Sequence, residues 1–206
     1  MSFIQKITMN DAKVKFGSLS LNNQYQVHFA GFNGNVIQYL KFSKRIDNAQ
    51  DFISREAGLL CSDASLPASA FATAEVKDNF MGIPQEFAHS RLYTDIDFTF
   101  YVDEDYTMLN IFEGWMDYIS SGAEREVADF QKPFYRRMKY PDTYKCDTMF
   151  ISKFEKNAKR ILRYQFINAF PKSITPIPVQ YGSADLLKVN VSFNYDRYIV
   201  ANKRGL

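Results

Sequence analysis

Apolar and polar residues alternate along parts of this chain with the two-residue period of a strand. Tyr25, Val27 and Phe29 share one face of the first such stretch, and Gln24, Gln26 and His28 share the other. Ile96, Phe98, Phe100 and Val102 form a second apolar face, opposed by Asp95, Asp97, Thr99 and Tyr101. Near the C-terminus Leu187, Val189, Val191, Phe193 and Tyr195 alternate with Lys188, Asn190, Ser192, Asn194 and Asp196. Residues 144–151 and 161–167 carry a weaker form of the pattern. They are expected to pair antiparallel across the polar turn Glu155-Lys156-Asn157. Strands with one wet face fit antiparallel sheet better than the doubly covered strands of a parallel α/β protein.

The helical period is clearest at Leu109, Phe112, Met116 and Ile119, spaced i, i+3, i+7 and i+10. Asp105 stands where an N-cap belongs, and Ser120-Ser121-Gly122 reads as the stop. A shorter helix is expected over residues 49–60, with Ala49, Phe52, Ile53 and Leu60 apolar. Residues 66–91 contain Pro67 and Pro84 without clean periodicity. A loop or hairpin that long in a compact domain usually has a function. The stretch 122–140 is polar, basic and irregular.

Composition narrows the class. The chain has 206 residues, 46% of them hydrophobic and 23% charged, which is globular and long enough to build a core without metal or disulfides. Nineteen Phe, thirteen Tyr and one Trp are an aromatic excess that favours strands. The net charge is only +2, too small for a protein held mainly by phosphate contacts. The start Met-Ser-Phe-Ile-Gln-Lys-Ile-Thr has no apolar signal-peptide core, and no apolar run approaches the ~18 residues of a membrane span. Synthesis and folding in the cytoplasm are therefore expected.

Candidate chemistry is sparse. Cys61 and Cys146 lie far apart with no C-x-x-C, and His28 and His89 are the sole imidazoles, so no metal or cofactor is expected. Asp95, Asp97, Asp103, Glu104 and Asp105 are the densest acidic group. They are expected to serve as a strand's polar face and a helix start, where negative charge suits the dipole. Arg136, Arg137 and Lys139 interleave with Phe134, Tyr135 and Tyr140, and Lys153, Lys156, Lys159, Arg160 and Arg163 lie further on. Such a patch could stack single-stranded nucleic acid, although near neutrality favours a solvated or subunit-contacting face. The nucleophile-elbow, P-loop, zincin and dinucleotide fingerprints do not occur in the sequence. No residue pattern argues for an enzyme.

Taken in order, three segments resemble the tail tube family of contractile-tailed, T4-like phages. The strand Asn23 to Phe29 is similar to that family's N-x-F-x-V opening strand. Leu60-Cys61-Ser62-Asp63-Ala64-Ser65-Leu66-Pro67 is similar to its strand ending in a Leu-Pro turn. The strand Ile96 to Val102 then leads through an acidic turn into a helix with Phe112 and Trp115, as the family's F-x-x-W helix does. Most specific is Asn168-Ala169-Phe170-Pro171, Ile174, Val179-Gln180-Tyr181-Gly182 and the closing run Phe193-Asn194-Tyr195-Asp196-Arg197-Tyr198. Extra length relative to the family falls near residues 34–56 and 122–140.

The resemblance implies one domain over residues 1–206, mainly β with some α: an antiparallel β-sandwich or rolled barrel with one packed helix, assembling into hexameric rings. Stacked rings would form the inner tube of a contractile tail and conduct DNA. Implied partners are the sheath, baseplate, tail-terminator and tape-measure proteins; the implied location is the tail of a virion. Gln24, Gln26, His28, Lys188, Asn190, Ser192 and Asn194 are candidates to face the lumen. Leu66, Pro67, Phe80, Met81 and Pro84, in the long 66–91 segment, are candidates for contacts between rings. A baseplate tube or tube-initiator protein of the same fold is the alternative within the family. A monomeric β-sandwich ligand-binding module, using residues 134–140, is the alternative outside it.

Overall fold

In the computed structural model the chain is described over residues 22–43, 46–77, 82–120, 137–155, 160–182 and 185–204, together with Met9, Lys13 and Ser20. Strand β1 (Tyr25–Ala30) is followed by helix α1 (Gly34–Ser43) and the short α2 (Ala49–Asp51), which runs on as a π turn over Phe52–Glu56. Then come β2 (Cys61–Ala64), β3 (Ser69–Val76), β4 (Gln85–Tyr93), β5 (Ile96–Tyr101) and helix α3 (Thr107–Ile119). A 3-10 turn at Pro141–Thr143 leads to β6 (Cys146–Phe154), β7 (Arg160–Ile174), β8 (Lys188–Asn194) and β9 (Arg197–Arg204).

Seven strands make one rolled sheet in the order β1-β6-β7-β8-β5-β2, with β9 also paired to β7; β3 and β4 form a separate hairpin. All pairings are antiparallel. Residues 160–167 of β7 lie beside β6 and β9, whereas Phe170–Ile174 lie beside β8. One strand thus serves two halves of the sheet. It turns the corner at Asn168, whose φ of 58° is left-handed, and at a bulge between Pro171 and Ser173.

The two halves close over an aromatic core. Phe29 of β1 lies 6.3 Å from Phe100 and 6.0 Å from Phe193, ring to ring, so the β1 half faces the β5–β8 half directly. Phe193 also meets Phe98, Phe112 and Trp115. These four partners of Phe193, together with Phe100 and Phe193 itself, are all buried. Fully covering each such ring is worth about 1.5–3 kcal/mol, and the fit is tight because edge-to-face pairs interlock. Helix α3 lays Met108, Ile111, Phe112 and Trp115 on this core. The Trp115 indole N–H donates to the Tyr144 carbonyl at 2.8 Å.

Three local expectations change. Tyr106, not Asp105, precedes the first helical residue of α3 and is left-handed, with φ 56°. The capping carboxylate belongs to Asp103, which accepts from the Met108 N–H at 3.2 Å. Backbone reversal at Tyr106 brings the earlier aspartate round to the helix start. The expected 49–60 helix stops at Glu56. A Cβ on Gly58 would sit 1.9 Å from the Val27 carbonyl, so the chain passes β1 there as bare backbone. Helix α1 is additional. Asn33 opens it, its Oδ1 accepting from the Asn35 N–H at 2.9 Å, and Val36 and Leu40 are buried beneath it.

Candidate assembly surfaces

The polar rows read from the sequence belong to two different faces. Gln26 and His28 are exposed on the outside of β1, with Gln24 half-buried just before it. His28 stacks at 6.4 Å on Phe150, and Arg163 lies over the same ring at 5.3 Å while its Nε donates to Ser152. Ile199 of β9 is exposed on this side too. Lys188, Asn190, Ser192 and Asn194 line the outside of β8, in register with Tyr101, Thr99 and Asp97 of β5. Because the core lies between the two half-sheets, the β1 row and the β8 row look away from each other. The structure does not bring them together.

Along β8 itself this face is polar, with Lys188 exposed and Asn190, Ser192 and Asn194 half-buried, while Phe170 of β7 stands opposite Asn194. Lys188 covers the Tyr101 ring at 5.2 Å, and Asn194 donates to Asp95 at 2.9 Å. Lys172 Nζ reaches the other Asp95 oxygen at 2.5 Å. That bond, with the one from Asn194, holds the Asp95 carboxyl below the usual range despite partial burial. The acidic group read from the sequence thus divides: Asp95 ties β7 to β8, and Asp103 caps a helix.

The β3–β4 hairpin has two unlike sides. Ser69, Phe71, Thr73 and Glu75 pair with Tyr93, Arg91, Ala88 and Glu86 on one side; Ala70, Ala72, Ala74 and Val76 pair with Leu92, Ser90, Phe87 and Gln85 on the other. The second side carries no charge. Val76, Phe87 and Leu92 on it are 46%, 53% and 49% exposed. Nearly every hairpin residue is open to solvent. Of the ring-contact candidates, Leu66 is exposed at the root of the hairpin, Pro67 beside it is half-buried, and Pro84 is exposed before β4. Phe80 and Met81 lie outside the described residues.

The residues 168–171 and 193–198, singled out by resemblance, meet at the corner of the roll. Asp196 accepts from Lys145 Nζ at 2.8 Å and from Asn168 Nδ2 at 2.6 Å, and its N–H donates to the Ile167 carbonyl. Burial pushes the Asp196 carboxyl up, but these two donors outweigh it and hold it low. Here β8 ends and β9 begins, each on a different half of β7. Spacing in the sequence marked these residues; it held no sign that they share a corner.

Of the basic patch, Phe134, Tyr135 and Arg136 lie outside the described residues, as do Lys156 and Lys159. Lys139 lies over the Tyr118 ring at 5.5 Å, and Tyr140 is 81% exposed. A groove of about 700 Å³ opens nearby, between the end of α3 and Phe170–Ile174, with Met116, Ile119 and Met138 on its walls. Burial pushes both thiols up to about 12, so Cys61 and Cys146 stay protonated and unreactive near neutrality.

Comparison with known proteins agrees with this architecture. A family model for phage tail tube proteins matches residues 20–201. No curated protein sequence matches the chain. Among solved structures, the fold is similar to a chain in the extended sheath–tube complex of PVC, an extracellular contractile injection system. The TM-score is 0.55 at 14% identity, covering 95% of this chain and 99% of that one. A chain of the anti-feeding prophage tube-terminating cap gives 0.54 at 12% identity, covering 90% and 92%. One from the anti-feeding prophage baseplate gives 0.54 at 8% identity, covering 89% and 95%. At these identities the likeness is one of fold.

Proposed function

The chain belongs to the phage tail tube protein family, and from that premise we propose that it builds the inner tube of a contractile tail as stacked hexameric rings around a DNA channel. Its part is structural, without catalysis. The observation that carries this reading is the hairpin. Two strands alone are at best marginally stable in water, yet β3 and β4 project with an uncharged side open and Val76, Phe87 and Leu92 in solvent. Such a surface fits burial against a neighbouring copy, and the root residues Leu66, Pro67 and Pro84, with Phe80 and Met81, would extend that contact between rings. The outer edge of β9, which among the described residues pairs with β7 alone, would be closed by a neighbouring subunit, as exposed edges otherwise invite uncontrolled pairing.

In this arrangement the β8 face lines the lumen and the β1 face turns away from it. Lys188, Asn190, Ser192, Asn194 and the adjoining Asp97 and Thr99 are hydrophilic and nearly balanced in charge. Passing phosphates would find water there and no dense cationic wall to hold them. Gln24, Gln26 and His28, beside Phe150, then belong to the outer side, toward the sheath. Residues 1–206 act as one domain. Its addition over residues 34–56 packs α1 and the π turn against α3 and β1, and that near 122–140 serves contacts with other tail proteins. The remaining partners are the baseplate and terminator at the tube's ends and a tape-measure protein in the lumen.

Electron microscopy of the purified protein tests the reading: rings or tubes with a central hole are expected, and a strictly monomeric protein at high concentration refutes it. The fold also resembles a chain of a baseplate structure about as well as a chain of a sheath–tube complex. Labelling in the virion separates these stations: signal along the whole tail marks the tube, and one ring at its end marks a baseplate or initiator role.

A further inference from the structure

Among the described residues, ring and charge contacts between the hairpin and the rolled sheet gather at the hairpin's root. The Arg91 guanidinium lies beside two rings that meet edge to face, 5.3 Å from the Tyr93 centroid and 5.2 Å from that of Tyr198 on β9, the two centroids being 5.5 Å apart. Its Nη2 donates to the Tyr198 hydroxyl at 2.9 Å and to Ser69 Oγ, across the hairpin, at 3.3 Å. Tyr198 is fixed in turn by edge contacts with Tyr93, Tyr164 and Tyr195. A guanidinium set against both tyrosines joins the arm to the body. A lysine's point charge would keep the attraction to the rings without the fixed donor geometry that reaches the Tyr198 and Ser69 hydroxyls.

The contact also sets which way the arm faces. Ser69, Arg91 and Tyr93 share the hairpin's charged side, so that side meets β9 and the uncharged side turns outward. Only Thr94 and Asp95 separate β4 from β5, and Ser65 to Ala68 separate β2 from β3. These short connections fix where the arm starts but leave its swing to be set by side chains. We propose that Arg91 is a positioning residue for assembly: it aims the hairpin so that the side bearing Ala70, Ala74, Val76, Phe87 and Leu92 is presented to a second copy of the chain. This rests on the tube reading for the identity of the partner. Without the clamp each copy would have to order its arm on docking, which lowers affinity without removing any contact at the interface.

Spin labels at Thr73→Cys on the hairpin and Glu113→Cys on α3, both exposed sites, measure the aim directly in protein below its assembly concentration. The expected distance distribution is narrow with Arg91 present, broad in Arg91→Ala and intermediate in Arg91→Lys. In unlabelled protein, the concentration for half-assembly should rise about tenfold in Arg91→Ala, with partial rescue by lysine. An unchanged distribution in Arg91→Ala overturns the proposal, and so does a broadened one with wild-type assembly. If Arg91→Ala fails to fold, Tyr198→Phe keeps the ring and deletes only the acceptor. It must also broaden the distribution, or the proposal falls. A parent protein that never assembles refutes the tube reading instead, while the distance measurement still decides whether Arg91 aims the arm.

Discussion

Replacing Phe87 with alanine should weaken assembly and leave the fold intact. Phe87 lies on the uncharged side of the hairpin opposite Ala74 and is 53% exposed. A phenylalanine presents about 150–250 Å², so roughly 100 Å² remains for a neighbour to cover. At about 25 cal/mol per Å² this amounts to about 2.5 kcal/mol for each docked hairpin, or close to seventyfold in association constant. Sedimentation velocity across a concentration series reads it as a shift of the half-assembly point. Thr73→Ala, on the charged side of the same arm, should move that point by less than about twofold, as surface changes usually do. Thermal unfolding of unassembled protein should be unchanged in both variants, since Phe87 does not belong to the core cluster or pack on it. Wild-type assembly by Phe87→Ala, or a larger defect from Thr73→Ala, would refute the assignment of the docking side.

Gly58→Ala should destabilise by about 2–3 kcal/mol, because the new methyl lands 1.9 Å from the Val27 carbonyl and β1 must move; a urea midpoint equal to wild type would show that the approach is slack. Trp115→Phe removes the donor to the Tyr144 carbonyl and leaves a void beside Phe193 and Phe32, about 3 kcal/mol, read by circular dichroism as a melting point lower by roughly 10 °C. Alkaline pH should also destabilise. Cys61 and Cys146 hold their protons up to about 12 when folded, against an ordinary value near 9, so above that pH the unfolded chain binds fewer protons and stability falls. The loss by pH 10 is about 1.4 kcal/mol for each thiol. Urea midpoints at pH 7 and 10 measure it, Cys146→Ala should halve it, and midpoints that stay level would refute it. Burial likewise raises Tyr25 and Tyr195 to about 12, which continues the fall above pH 10.

Strands were legible where their two faces meet different surroundings. Ile96, Phe98 and Phe100 are buried while Asp97 is exposed, and the pleat converts that difference directly into alternation. Helix α3 was legible as a helix at its own period. Its buried face, however, is Met108, Ile111, Phe112 and Trp115, whereas Leu109, Met116 and Ile119 of the expected stripe are half-buried, because the core lies about one residue round the helix from that stripe. Helix α1 was not legible, since ten residues with Val36 and Leu40 buried form a thin stripe; Asn33 ahead of Val36, Ile37 and Leu40 was the signal available. The cap on α3 was misplaced by two residues because a left-handed Tyr106 is rare for a residue with a side chain. In the hairpin, the bulge at His89 shifts the register between Ala72 and Thr73 and conceals the alternation.

Local chemistry, then, was enough to establish an antiparallel, aromatic-cored protein, because face-by-face burial is a property of each strand alone. The resemblance in residues 168–171 and 193–198 pointed to the family for a related reason: a corner needs particular residues at particular steps. What no single segment contains is which surfaces end up together. The separation of the Gln26 and Lys188 rows onto opposite faces follows from closing the roll over Phe29 and Phe193. The sharing of β7 between two half-sheets and the seating of Arg91 against Tyr93 and Tyr198 follow from pairings far apart in the chain. Such contacts cost loop-closure entropy that only the completed core offsets, so they exist in the folded molecule and leave no periodicity behind.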